Sequence, residues 1–193
     1  QAYLDELRPR LHRLIRNAEN RWTEAFTQGI AVTRSDPFIV SDPDILVPQH
    51  EPCWLTRMLD VMAEHPEMGM VALNLDASNK PAKLPDVYVS EKAPHGPDLT
   101  LSYVGTVMQT IRREFFAPPY TTDWHAVEAI RANGGLVGFA NHLVGYHLGW
   151  NEDQDYPEHL VKKHQYFNGA YGSNLYKLYT QEDDLLRAMD GLE

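Results

Sequence analysis

Apolar residues recur along the chain at two spacings, and these divide it into elements. Ala2 to Leu7 is helix-like and stops near Pro9. Leu11 to Ile15 reads as a short strand, followed by a loop punctuated by Asn17 and Asn20. Trp22, Ala25, Phe26, Gly29 and Ile30 fall on one helical face, which predicts a helix from about Trp22 to Val32. Arg34-Ser35-Asp36 turns the chain into a short buried strand, Pro37-Phe38-Ile39-Val40, and Ser41-Asp42-Pro43-Asp44 sits just past its end. Leu55, Met58, Leu59 and Met62 mark an amphipathic helix that starts near Pro52, a residue suited to a first helical turn.

Met70 to Leu75 reads as a strand. The stretch from Asp76 to Asp98, with prolines at 81, 85, 94 and 97, reads as a long loop with a short strand at Val87 to Ser90. Such a loop is long enough to suggest a functional segment. Leu99 to Ile111 looks extended. Thr121 and Thr122 offer an N-cap for a helix from Asp123 to Asn133, closed by Gly134-Gly135. Leu136 to Ala140 and Leu143 to His147 read as two strands, and the tail from Pro157 onward as mostly helical. Strands alternating with helices predict an α/β layer fold, with chemistry beyond the carboxyl ends of the strands. No repeat or linker divides the 193 residues, so one domain is expected: a core over 1–150 and a helical tail over 151–193.

Composition narrows the function classes. Lys and Arg total 17 against 27 Asp and Glu, a formal charge of -10. A chain this acidic is poorly suited to a nucleic-acid polymer, which is bound by basic surface that displaces counterions. The single cysteine, Cys53, excludes an intrachain disulfide and a thiolate zinc site. No apolar run is long enough to cross a bilayer, and no signal peptide is visible, which points to the cytoplasm.

Asp42 and Asp44, separated by one proline at a strand end, can aim at a common point. Hard carboxylate oxygens there suit Mg²⁺ or Mn²⁺, through which an acidic protein can hold a phosphate-bearing ligand. The alternative is a plain Asp-Pro turn. His147 lies late in an apolar strand and reads either as a hydrogen-bonded structural residue or as a ligand. His142, five residues earlier, falls on the opposite face of a regular strand, and the remaining histidines show no ligand spacing and read as surface residues.

The stretch Asn20 to Ile30, followed by Pro37 to Ile45 with its Asp42-Pro43-Asp44, resembles the loop, helix, strand and Asp-Xaa-Asp motif of family 2 glycosyltransferases of the GT-A fold. Downstream, Tyr120-Thr121-Thr122-Asp123-Trp124 with Ile130 to Gly135 resembles that family's acidic motif on a helix ending in Gly. Val144 to Trp150 resembles the strand bearing a late histidine. Three motifs in order are far more specific than any one.

The resemblance implies a Rossmann-like mixed sheet flanked by helices. It also implies either that the family's leading strand-helix-strand, roughly 30 residues or more, lies outside this chain, which starts at Gln1, or that this is a reduced form whose donor pocket is built differently. It implies a metal-dependent, inverting, hexosyltransferase-like enzyme using a nucleotide-diphosphate sugar donor and a glycan or other hydroxyl acceptor. In these roles Asp44 is the metal ligand, Asp42 helps hold metal and nucleotide, and His147 supplies a further ligand that favours Mn²⁺ over Mg²⁺. Asp123 is the general base, although the same position serves as a helix cap, where the helix dipole favours an ionised carboxylate. The family usually carries Glu where this chain has Thr122.

Asn20 and Arg21 fall where the family contacts the donor, or else form a turn and a solvated charge. Trp124 and Trp150 are candidate acceptor platforms, with core packing as the alternative. The acidic run Asn151 to Asp155 reads as a donor-side segment or a solvated one. A non-catalytic sugar-nucleotide or glycan binding module on the same fold is the alternative function, and a metal-dependent hydrolase is a third.

Overall fold

A computed structural model describes residues 6–19, 21, 23–76, 78 and 92–148. The described chain is an α/β unit. Its mixed, open seven-stranded sheet has helices on both faces. The strands are β1 (Phe38–Val40), β2 (Ile45–Leu46), β3 (Met68–Asp76), β4 (Ala93–His95), β5 (Leu99–Leu101), β6 (Gln109–Ile111) and β7 (Leu136–His147). The helices are α1 (Glu24–Val32), α2 (Trp54–Glu64) and α3 (Asp123–Ala132). The sheet order is β1-β6-β3-β7-β5-β4, with β2 also paired to β7.

The central pair, β3 and β7, runs parallel. Parallel strands are covered on both faces, and the first six residues of β3, Met68 to Leu73, are accordingly all buried. Alternate side chains then serve two cores. Met70 and Ala72 join Phe38, Val40, Tyr120, Val127 and Ile130 on the face covered by α1 and α3. Val71 and Leu73 join Met58, Met62, Leu99 and Leu143 on the face covered by α2. β6 lies antiparallel between β1 and β3, so β1, β3 and β7 all point the same way. Their carboxyl ends form one edge of the sheet.

Several sequence expectations change. Leu11 to Ile15 is not a strand: it follows a 3-10 turn at Arg8–Arg10 as irregular chain, and Leu11 and Ile15 are exposed. Leu99 to Ile111 is not continuous but two short strands joined by a loop over 102–108. The two expected strands after Gly135 are one, β7. The polar Asn141-His142 step is accommodated as an irregularity where Leu73 pairs with Ala140 and Asn74 with Val144. The Asn141 side chain accepts from Thr100 Oγ1 and donates to the Pro97 carbonyl, so the interruption is tied down by the β4–β5 turn. His142 is exposed and lies 3.7 Å from Asp98. Val87 to Ser90, Ala2 to Asp5 and the tail from 151 lie outside the described residues, as do Asn20, Trp22 and Trp150.

Candidate functional site

Asp42-Pro43-Asp44 leaves the carboxyl end of β1 and is held from two sides. The Asp42 amide donates to the Thr106 carbonyl at 2.9 Å. Ser41 Oγ accepts from the Met108 amide at 3.3 Å and donates to the Asp42 carbonyl at 3.0 Å. Met108 takes φ +49, a left-handed conformation that costs a non-glycine residue about 1–2 kcal/mol. The strain falls where the 102–108 loop meets Ser41. On the other side, the Asp44 carbonyl accepts from the Leu148 amide at 2.8 Å, and Ile45 and Leu46 pair with His147 and Tyr146 as β2. A two-residue strand is too short to give a periodic signal, yet it fixes the register that sets His147 against Asp44.

The result is a cluster of Asp42, Asp44 and His147, with one ligand atom from each within 4.8 Å of the other two. His147 Nδ1 is buried and lies 3.7 Å from Asp44 Oδ2. Around a six-coordinate ion with bonds of about 2.1 Å, ligand atoms sit roughly 3.0 Å apart when adjacent and 4.2 Å when opposite. The cluster therefore fits a divalent cation after small adjustments. Two carboxylates and one imidazole form a donor set that suits Mn²⁺ or Mg²⁺.

Asp123 opens α3. The Thr122 hydroxyl caps that helix, accepting from the His125 amide at 3.0 Å, and Asp123 Oδ1 accepts from the Trp124 amide at 2.8 Å. Its other oxygen faces Gly105: a Cβ built there would lie 3.8 Å from Asp123 Oδ2. Gly105 precedes Thr106, whose carbonyl anchors Asp42, so one short loop separates the base candidate from the carboxylate pair.

Tyr120 sits beneath this loop. Its hydroxyl donates to Gln109 Oε1 at 2.7 Å and lies 3.3 Å from Thr106 Oγ1. Burial pushes its pKa far up, and the negative charges of Asp123 and Asp42 push it further, so it stays a neutral donor. Both carboxylates thus act on a single buried hydroxyl. Nothing in the sequence singled out Gly105 or Thr106, and Tyr120 entered only as the first residue of the Asp123 stretch, because their relation to the aspartates is purely tertiary. Replacing Tyr120 with Phe leaves the fully buried Gln109 carbonyl without its donor. Urea unfolding is expected to show a loss of about 1–3 kcal/mol.

The remaining candidates separate. Trp124 is not a core residue: it is 46% exposed and stacks on Tyr103, with centroids 4.1 Å apart. The Arg131 guanidinium lies over the same Tyr103 ring. Arg21 pairs with Glu24 at 3.2 Å on the surface. The histidines taken as surface residues include two that are not simply so. His65 and His95 are only partly exposed and converge on Glu67 at the opposite edge of the sheet.

Among the described residues, no helix is long and apolar enough to cross a membrane. No family model, curated protein or solved structure matches the chain.

Proposed function

We propose that this chain carries the catalytic core of a metal-dependent, inverting glycosyltransferase of GT-A-like architecture, moving a sugar from a nucleotide-diphosphate sugar to an acceptor hydroxyl. The observation that supports it most is the convergence of Asp42, Asp44 and His147 at the carboxyl edge of the sheet, with Asp123 across the Gly105-Thr106 loop. Asp44 and His147 would hold the cation, Mn²⁺ or Mg²⁺, and Asp42 would share it or orient the ribose. A cation bound there supplies positive charge against the departing diphosphate. Asp123 takes the proton of the acceptor hydroxyl as that oxygen attacks the anomeric carbon from the face opposite the leaving group, which inverts the configuration. The exposed face of Trp124 offers an apolar surface for an acceptor sugar ring.

A non-catalytic binding module on the same fold is favoured by one detail: Asp123 Oδ1 and Thr122 Oγ1 are both engaged at the helix start, as a simple cap would be. Isothermal titration with uridine and guanosine diphosphates tests the binding both readings share. Heat of binding is expected with Mn²⁺ present and is lost on adding a chelator. Absence of binding with Mn²⁺, or binding indifferent to the chelator, contradicts the metal-mediated site.

A further inference from the structure

At the amino edge of the parallel strands, His65, Glu67 and His95 form a second cluster, with one ligand atom from each within 4.8 Å of the other two. It is remote from the first. Glu67 precedes β3, whereas Asp76, at the far end of β3, pairs with Tyr146 beside His147. Nine residues of strand, about 3.3 Å each when extended, lie between Glu67 and Asp76.

His95 Nε2 lies 2.8 Å and His65 Nδ1 3.4 Å from the same oxygen, Glu67 Oε1. The two imidazole rings tilt toward each other, with centroids 5.5 Å apart. In a tetrahedral site with bonds of about 2.0–2.1 Å, ligand atoms sit roughly 3.3 Å apart, so the His65 spacing already fits and the His95 spacing opens by about half an ångström. All three side chains are partly exposed, which leaves a path for an ion to enter.

The backbone beneath them is fixed. The His65 amide donates to the Val61 carbonyl at the end of α2, and the His65 carbonyl accepts from the Met68 amide. The Glu67 carbonyl accepts from the Leu136 amide of β7. His95 ends β4, opposite Leu99 in the β4–β5 hairpin, whose turn uses Gly96 at φ +76.

We infer that His65 Nδ1, Glu67 Oε1 and His95 Nε2 form a zinc site that clamps the α2–β3 turn to the β4 edge of the sheet. Two imidazoles and one carboxylate match the borderline-soft character of Zn²⁺ and leave its fourth position to water. The ligands come from two segments 28 residues apart, so the ion links parts of the chain that no cysteine bridges. This inference is independent of the function proposed above.

The test uses the full chain without an affinity tag, in an Asp44→Asn background that weakens the first cluster. Equilibrium dialysis against buffered Zn²⁺ is combined with thermal melts. The Asp44→Asn chain is expected to bind zinc and to melt at a higher temperature when it does. Adding His65→Ala or His95→Ala is expected to weaken binding by more than about 100-fold, the upper range for losing even an outer partner of a metal ligand, and to abolish the thermal shift. Glu67→Gln keeps a hydrogen-bonding group between the histidines and is expected to lose zinc while remaining folded by circular dichroism. Equal zinc binding with and without these side chains, or no zinc binding by the Asp44→Asn chain, overturns the site and leaves a hydrogen-bonded His-Glu-His cluster.

Discussion

Asp123→Asn is expected to lower turnover by about 10²–10⁴-fold while leaving donor affinity nearly unchanged. The change removes the basic carboxylate with almost no change in shape. The asparagine carbonyl still accepts from the Trp124 amide, and Thr122 still caps α3, so the helix start is preserved. Stability should fall by no more than about 1 kcal/mol, the scale of a negative charge in the first turn of a helix. Under the proposed function, the rate loss would come from the proton that the acceptor hydroxyl can no longer pass to Asp123. Steady-state kinetics with a nucleotide sugar and acceptor should show a drop in kcat with little movement in the donor KM. A variant with full kcat would leave Asp123 as a cap alone and favour the binding-module reading.

Asp44→Ala is expected to act on the other half of the reaction. It removes a carboxylate that faces His147 Nδ1 at 3.7 Å; under the proposed function the cation would lose an anionic ligand and its charge would no longer be held against the diphosphate. Several kcal/mol of leaving-group stabilisation correspond to at least about 10³-fold in rate. Here donor binding should fall together with turnover, unlike in Asp123→Asn. Excess Mn²⁺ should restore part of the activity if Asp42 and His147 still offer a weak site. The backbone contribution of Asp44 survives the change, because its carbonyl still accepts from the Leu148 amide. Circular dichroism should therefore match the parent. Asp44→Ala with unaltered Mn²⁺-dependent turnover would remove the cation from the site.

The large features were legible in the chain. The helical periods of Phe26 to Ile30 and Leu55 to Met62 gave α1 and α2 to within a few residues, and Thr122 with Gly134 bracketed α3. Gly134 takes φ +85, the conformation expected just past a helix end. What was not legible was mainly tertiary. β7 looked broken because Asn141-His142 is polar, but the Thr100 hydroxyl and Pro97 carbonyl satisfy Asn141 from a neighbouring turn. Leu11 and Ile15 looked like strand residues, yet they are exposed and lie outside the sheet.

The site shows the same division. Asp42 and Asp44 are marked by their spacing and by proximity to a strand end, and His147 by its place late in an apolar strand together with the family resemblance. Their meeting depends on the two-residue pairing of β2 with β7, which no local pattern encodes. The same limit hid His65, Glu67 and His95. His65 and His95 show no ligand spacing in the sequence, and the histidine that completes the cluster is 28 positions beyond Glu67.

The most direct measurement is an anomalous-scattering map from crystals of the chain grown with Mn²⁺ and a nucleoside diphosphate. The proposed function requires a manganese peak bonded to the Asp44 carboxylate and His147 Nδ1, with diphosphate oxygens completing the ion and Asp123 facing the space beyond the β-phosphate. A diphosphate bound without the ion, or a manganese peak away from Asp44 and His147, would contradict it.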